Sequence, residues 1–358
     1  MLLKSVGNSR LKTENYLALA FLVGLSLPIN HATATSTLPA LPEAVSNQLV
    51  LQTTVRGKWY LASFAGISPQ AGEDHNKAWQ LTQGSPIWQP LPAVPNQARQ
   101  SGRFAAAGVV MSNQFYIFAG ADQAQNGSEK ILSDSYRFSP LTQTYTKLPE
   151  MPVAVADSLA LAYQNRYIYL ISGRQQEGNV NLVQLFDNFS QKWSQATPYP
   201  GAAVAGHAGA VAGHQMLVCD GISQDFQQQA QGQIVSTAAC YLGELDPKQA
   251  NKIRWQKIKH HGGPARFRQA AIAIMLNDEA AVAFIGGQDS LSANSVSNQI
   301  YVYNLKQQRW LRAASGTPRQ DLRTLVELDG EIYSVGGIDA NNNVSSAPIK
   351  HQIKLLPE

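Results

Sequence analysis

The chain has no dense run of lysine or arginine. Its 28 basic and 24 acidic residues leave a formal charge of only +4 over 358 residues. Without a basic patch, a nucleic-acid partner is not expected. Cysteine is equally scarce: Cys219 and Cys240 are the only two. They lack the four-ligand spacing of a structural zinc site. No G-x-G-x-x-G and no P-loop occurs, and no cofactor is expected. No convincing amphipathic helical run supports an α/β architecture. Long apolar runs are missing too, apart from the 13 residues Leu17–Ile29, too short to span a bilayer comfortably. Lys4, Arg10 and Lys12 precede that run, and Ala32-Thr33-Ala34 follows it with small residues at −3 and −1. Residues 1–34 therefore read as a secretory signal peptide. Cleavage after Ala34 leaves 35–358 with a charge of +2. The expectation is an exported, periplasmic protein with no membrane span after signal cleavage.

What the chain does contain is a repeat. TLPALPEAVSNQ (37–48), PLPAVPNQARQS (90–101) and KLPEMPVAVADS (147–158) echo one another. Six short β-rich runs end in glycine: YLASFAG, YIFAG, YLISG, LVCDG, AFIGG and YSVGG, ending at 66, 120, 173, 221, 287 and 337. Each follows an apolar or alternating run across a tight polar turn, the pattern of a β-hairpin. A polar loop and a third strand come next (DSYRFSP, VQLFDN, ACYLGELDP, QIYVYNL). A fourth strand then carries Trp88, Tyr145, Trp193, Trp255 or Trp310, spaced 48 to 62 residues apart. Four short strands cannot bury both faces of one small sheet. Six such sheets stacked around an axis can.

The tyrosine or phenylalanine, the terminal Gly-Gly and the later tryptophan together resemble the kelch repeat, over nearly all of 35–358. The resemblance implies an all-β fold, a six-bladed kelch-type β-propeller. Six b-strand signals are followed by only five d strands. Thr35–Leu41 is the missing sixth, so an N-terminal strand completes the last blade and leaves no raw edge. Cys219 near the end of strand b and Cys240 at the start of strand c are neighbours in this scheme. An oxidising compartment makes a disulfide between them the expectation, with two buried thiols as the alternative.

In a propeller, strand a lines the axis. The d–a and b–c loops crowd one face around the channel mouth, where function is expected. The starts of strand a are polar there: Asn47, Arg103, Asp157, His207, Arg266, Arg268, Arg319, Asp321 and Arg323. Arg174 follows a b-strand glycine, as do Asp122, Asp289 and Asp339. A guanidinium binds a carboxylate or phosphate through two parallel hydrogen bonds, so this mouth suits an anionic ligand. An arginine at this point of a kelch blade also serves in inter-blade hydrogen bonding, so each has two readings. The b–c loops are rich in Gln, Asn and Ser, which suits hydroxyl-rich ligands. The longest, 222–237, is the lid candidate.

No S-x-D-x-G-x-x-W marks a sialidase propeller. His260 and His261, adjacent in sequence, are not expected to chelate a metal jointly, and no metal set is expected. Signal peptide, six kelch blades, closure by an N-terminal LPxLP strand and overall length resemble the N-acetylneuraminate epimerase family, the periplasmic sialic acid mutarotases. That resemblance implies a sugar-acid isomerase using one group to take the anomeric proton and another to protonate the ring oxygen. The family's glutamate after a later b-strand glycine, with arginine six residues on, is not matched: Ile222 and Gln228 stand there. Asp157 and His207 are the substitute candidates for proton transfer. Arg103, Arg268 and Arg323 are the anion clamps, with Arg319, Asn47 and Arg174 as further substrate contacts. The alternative is a non-catalytic carbohydrate- or protein-binding propeller. A homodimer is left open.

Overall fold

The computed structural model describes residues 38–69, 73–96, 102–123, 128–223, 235–289 and 296–357. The signal peptide expected over 1–34, residues 35–37 of the closing strand, Gln228 and most of the 222–237 loop lie outside the described residues.

Six antiparallel sheets follow one another along the chain, five of them in the order a-b-c-d from the axis outwards and the sixth with strands a-b-c. Blade 1 is Leu49–Val55, Lys58–Ser68, Glu73–Thr82 and Gln89–Leu91. Blade 2 is Ala107–Met111, Gln114–Phe118, Ser135–Ser139 and Thr144–Leu148. Blade 3 is Leu159–Tyr163, Tyr167–Ile171, Val183–Asp187 and Lys192–Gln195. Blade 4 is Ala208–Ala212, Gln215–Cys219, Cys240–Leu245 and Ile253–Ile258. Blade 5 is Arg266–Leu276, Glu279–Asp289, Ile300–Asn304 and Arg309–Arg312. Blade 6 has Val326–Leu328, Glu331–Val335 and Pro348–His351. The a–b hairpins turn on Arg56-Gly57, Ser112-Asn113, Asn277-Asp278 and Asp329-Gly330, each with positive φ at both residues. That geometry matches the right-handed twist of the flanking strands.

The glycine at the end of every strand b performs one task six times. Its N–H donates to the next blade: Gly66 to Arg103, Gly120 to Val155, Gly173 to Val204, Gly221 to Arg266, Gly287 to Arg319 and Gly337 to Val45. The last of these bonds carries the circle from blade 6 back to blade 1. A side chain has no room here: a Cβ on Gly337 would lie 2.6 Å from the Gln320 carbonyl oxygen. The residue before each glycine also has positive φ, and Ala65, Ala119, Ser172 and Asp220 occupy it where a Gly-Gly pair is lacking.

The echoed Leu-Pro segments and the d-strand aromatics are partners. Trp88 Nε1 donates to the Pro39 carbonyl, Tyr145 Oη to that of Pro92 and Trp193 Nε1 to that of Pro149, each at 3.0 Å. Trp310 Nε1 donates to Lys259 at 2.7 Å in the same way. Each aromatic thereby anchors its blade to the segment leaving the previous one. By this equivalence Leu38–Leu41 is the outer edge of blade 6. Leu41 N–H donates to Ser346, and Leu38 and Leu41 pack with Val326, Leu328 and Val335. Past strand c the C-terminal tail crosses to blade 5, where Ala314 N–H bonds to Lys354 and Leu356 N–H to Arg312.

The apolar core sits between blades, with no gap in the ring of clusters. Cys219 and Cys240 face each other across strands b and c of blade 4 and are joined by a disulfide. Among the described residues no helix is long and apolar enough to cross a membrane.

Candidate functional site

Strand a begins in each blade with one residue of left-handed backbone: Asn47, Ala105, Asp157, Gly206, Arg268 and Asp321, with φ between 53° and 64°. Such a conformation is costly for arginine. Backbone hydrogen bonds that run around the axis offset the cost. Ala105 N–H donates to Asn47, Asp157 to Ala105, Gly206 to Asp157 and Arg268 to Gly206, at 2.8 to 3.1 Å. Leu322 N–H donates to Arg268 at 3.3 Å. Gly206 having no side chain, these bonds fix five side-chain positions around the channel mouth. Below it lies a cavity of about 400 Å³, walled by the a strands of all six blades.

Polar groups from five blades meet at this mouth. Arg323 donates to Asp157 Oδ1 through one terminal nitrogen and to Asn47 Oδ1 through the other. Asn47 Nδ2 donates to Asp321 Oδ2 at 3.0 Å. Arg268 Nε lies 3.1 Å from Asp321 Oδ1. Arg174 Nη1 meets Glu129 Oε2 at 2.5 Å, and its Nε lies 4.0 Å from Asp157 Oδ2. Three arginines thus face three carboxylates. Burial alone would push Asp157 towards its neutral acid, but Arg323, Arg268 and Arg174 outweigh it and hold the carboxyl below its ordinary range. Asp321 in turn raises the Arg268 guanidinium, against the opposing effect of burial.

Arg268 differs from its neighbours. Its side chain is 37% exposed, and among the described residues its Nη1 and Nη2 donate to no partner. Both terminal nitrogens of Arg268 are thus left unengaged by the protein, whereas Arg323 uses both of its own.

Of the candidates for proton transfer and substrate contact, Asn47, Asp157, Arg268 and Arg323 come together here, with Arg174 at the edge. Three do not join them. Arg103 is fully buried in blade 2, donating to the carbonyls of Ala119 and Pro95 and to Asp134 Oδ2 at 2.7 Å. It is committed to the wall and cannot clamp a ligand. Arg319 occupies the equivalent place in blade 6 and is 5% exposed. His207 lies in the cavity wall at the position that Gln48 and Gln269 hold in blades 1 and 5, where their amides bridge to the preceding blade. Its ring is buried beside the Ile171 backbone and stacks on Tyr199. Burial lowers its pKa to about 4, so it is neutral and a poor proton carrier at pH 7. Glu129 was missed, because its loop offers only a generic polar composition.

No protein-family model matches the chain. It is 26% identical over 261 residues to Kelch domain-containing protein 3 of Rattus norvegicus and of Homo sapiens, a match covering 66% of this chain. The chain spans 64% of the length of those relatives. Kelch-like protein 35 of Mus musculus is 24% identical over 73% of the chain and 38% of its own length. The solved structure of YjhT superimposes with a TM-score of 0.69 at 16% identity, covering 89% of this chain and 99% of that one. The fold is a six-bladed kelch-type β-propeller. At these identities the likeness to YjhT speaks for the fold alone.

Proposed function

We propose that this propeller binds an acidic sugar at its channel mouth and interconverts its anomers, as an exported protein. The observation that carries the reading is the pair of unengaged Arg268 terminal nitrogens. They sit over a cavity of about 400 Å³ and beside the ionised Asp157. A cavity of that size is within the range for a small-molecule site. The sugar carboxylate would take a bidentate bond from Arg268. Asp157 would accept the anomeric hydroxyl proton as the ring C–O bond breaks, while water in the open mouth protonates the ring oxygen. Rotation of the freed carbonyl and the reverse steps then give the other anomer. Further support comes from the sequence resemblance to the sialic acid mutarotases, although Ile222 stands where that family has glutamate. Export rests on the pattern of residues 1–34 and agrees with the Cys219–Cys240 disulfide.

One observation favours a second reading, binding without catalysis. Three arginines make Asp157 a weak base, and His207 is neutral and buried. Proton NMR of freshly dissolved α-N-acetylneuraminate with purified protein separates the two. Faster approach to anomeric equilibrium, lost in Arg268→Gln and Asp157→Asn, supports catalysis. Line broadening without acceleration supports binding alone. No effect of either kind overturns the acidic-sugar assignment.

A further inference from the structure

Blade 4 carries a second polar cluster, built from residues that take no part in the mouth network. Cys219, Cys240 and Ile258 form one row across its strands b, c and d. Asp220 directly follows the first of them, and His260 and His261 follow the last after Lys259. The disulfide ties the first two strands of that row together. The two histidines, adjacent in sequence and unpromising for that reason, converge on one carboxylate. His260 Nε2 lies 2.6 Å from Asp220 Oδ1, and His261 Nε2 lies 3.2 Å from Oδ2. The three ligand atoms all fall within 4.8 Å of one another.

We propose that Asp220, His260 and His261 form a binding site for a single divalent transition-metal ion. Two imidazoles and a carboxylate are the donor set of zinc and its first-row neighbours rather than of calcium or magnesium. The Asp220 and His261 side chains are fully buried, and His260 is 15% exposed, which leaves a way in from solvent. Asp220 is held at φ 66°, at a backbone position where two other blades use glycine.

Gln269 supplies an independent observation. Its Nε2 donates to Asp220 Oδ2 at 2.9 Å, while its Oε1 is buried without a partner. A buried amide oxygen left unpaired is costly. A half-turn of that amide presents the oxygen to the ion as a fourth ligand.

Without an ion, both imidazoles donate to Asp220, so their Nε2 atoms already point at one place. Gly263 N–H donates to His261 Nδ1 at 3.2 Å, which puts the ring proton on Nε2. Coordination through Nε2 moves that proton to Nδ1, so the Gly263 amide must turn away. Gly262, at φ +83° with open space around it, can absorb the turn. The neighbouring cation is Arg266, which stacks on Tyr301 and is engaged through Nη1 with Gly286, Ser297 and Gln299. Its charge opposes the ion and sets the chief cost of binding.

The test is Zn²⁺ uptake by purified untagged protein after chelator treatment and dialysis, followed by calorimetry and by thermal unfolding with and without Zn²⁺. The expected result is one equivalent bound, with a rise in Tm that follows Zn²⁺ concentration. Asp220→Asn and His260→Gln should both abolish uptake, and Gln269→Ala should weaken it by about 10- to 100-fold. His260→Gln is partly exposed and keeps a polar group beside Asp220, so it reports on binding even where Asp220→Asn fails to fold. Absence of stoichiometric uptake overturns the proposal. Uptake that survives in His260→Gln overturns it equally, because the ion then sits elsewhere.

Discussion

Asp157 of blade 3 and Arg323 of blade 6 meet across the channel mouth, 166 residues apart in sequence. Both side chains are largely buried, so neither charge is well solvated alone. Asp157→Asn tolerates the left-handed backbone but removes the charge. We expect it to cost about 2 kcal/mol, as for other hydrogen bonds between charged groups. Urea unfolding of the two single variants and the double variant Asp157→Asn/Arg323→Gln checks this. The double variant should lose less than the sum, because the two side chains are coupled.

The same pair sets a pH dependence. The Asp157 pKa is lowered in the folded protein from its ordinary 3.8. The unfolded chain therefore takes up the proton first as pH falls. The Asp157 contribution is complete above about pH 5 and is lost as pH drops through 3.8 and then through the lower folded value. The difference in unfolding free energy between wild type and Asp157→Asn should be flat from pH 7 to pH 5 and shrink below pH 4. A difference that grew on acidification would contradict the assignment.

Two arginines that look alike in sequence should behave differently. Arg268→Gln removes the free mouth nitrogens and should abolish acidic-sugar binding while leaving a folded protein. Arg103→Gln should instead destabilise the protein by about 3 kcal/mol or more, since it strands Asp134 in the wall of blade 2. Circular dichroism melts and NMR titration of both variants distinguish the roles.

The contrast shows what the sequence could and could not reveal. Blades were legible because glycine, aromatic and Leu-Pro segments recur at similar spacing, and each serves a backbone hydrogen bond repeated around the ring. The roles of the arginines were harder to see. Arg103 and Arg266 stand two residues before the left-handed position, and Arg268 stands on it. That offset decides between wall and mouth. It becomes readable only when strand a is registered against the preceding blade's glycine. The Asp157–Arg323 and Asp220–His260 contacts depend on ring closure and on loop geometry, which no local pattern encodes.

Trp193→Phe tests the partnership between d-strand aromatics and Leu-Pro segments. The ring contacts with Phe118 and Phe186 largely remain, but the bond from Nε1 to the Pro149 carbonyl is lost. A loss of about 1 kcal/mol is expected. Chemical denaturation checks it, and Trp310→Phe should behave alike, since its indole makes the same kind of bond to Lys259.

The disulfide closes a short loop, with the two cysteines 21 residues apart in sequence. In the chain-entropy account, closing a loop of that size stabilises the folded state by about 3 kcal/mol. Cys219→Ala/Cys240→Ala, or reduction of wild type, should lower the unfolding midpoint accordingly, and reducing agent should not affect the double variant. The alanines leave the strand pairing of blade 4 in place, so the propeller should still form. The prediction extends to the metal cluster. Asp220 and the two histidines emerge from the ends of strands b and d, and strand c, carrying Cys240, lies between them. Loosening the b–c link should therefore weaken Zn²⁺ uptake without touching a ligand. Equal uptake by the disulfide-free variant would mean that the loops, and not the covalent link, set the ligand geometry.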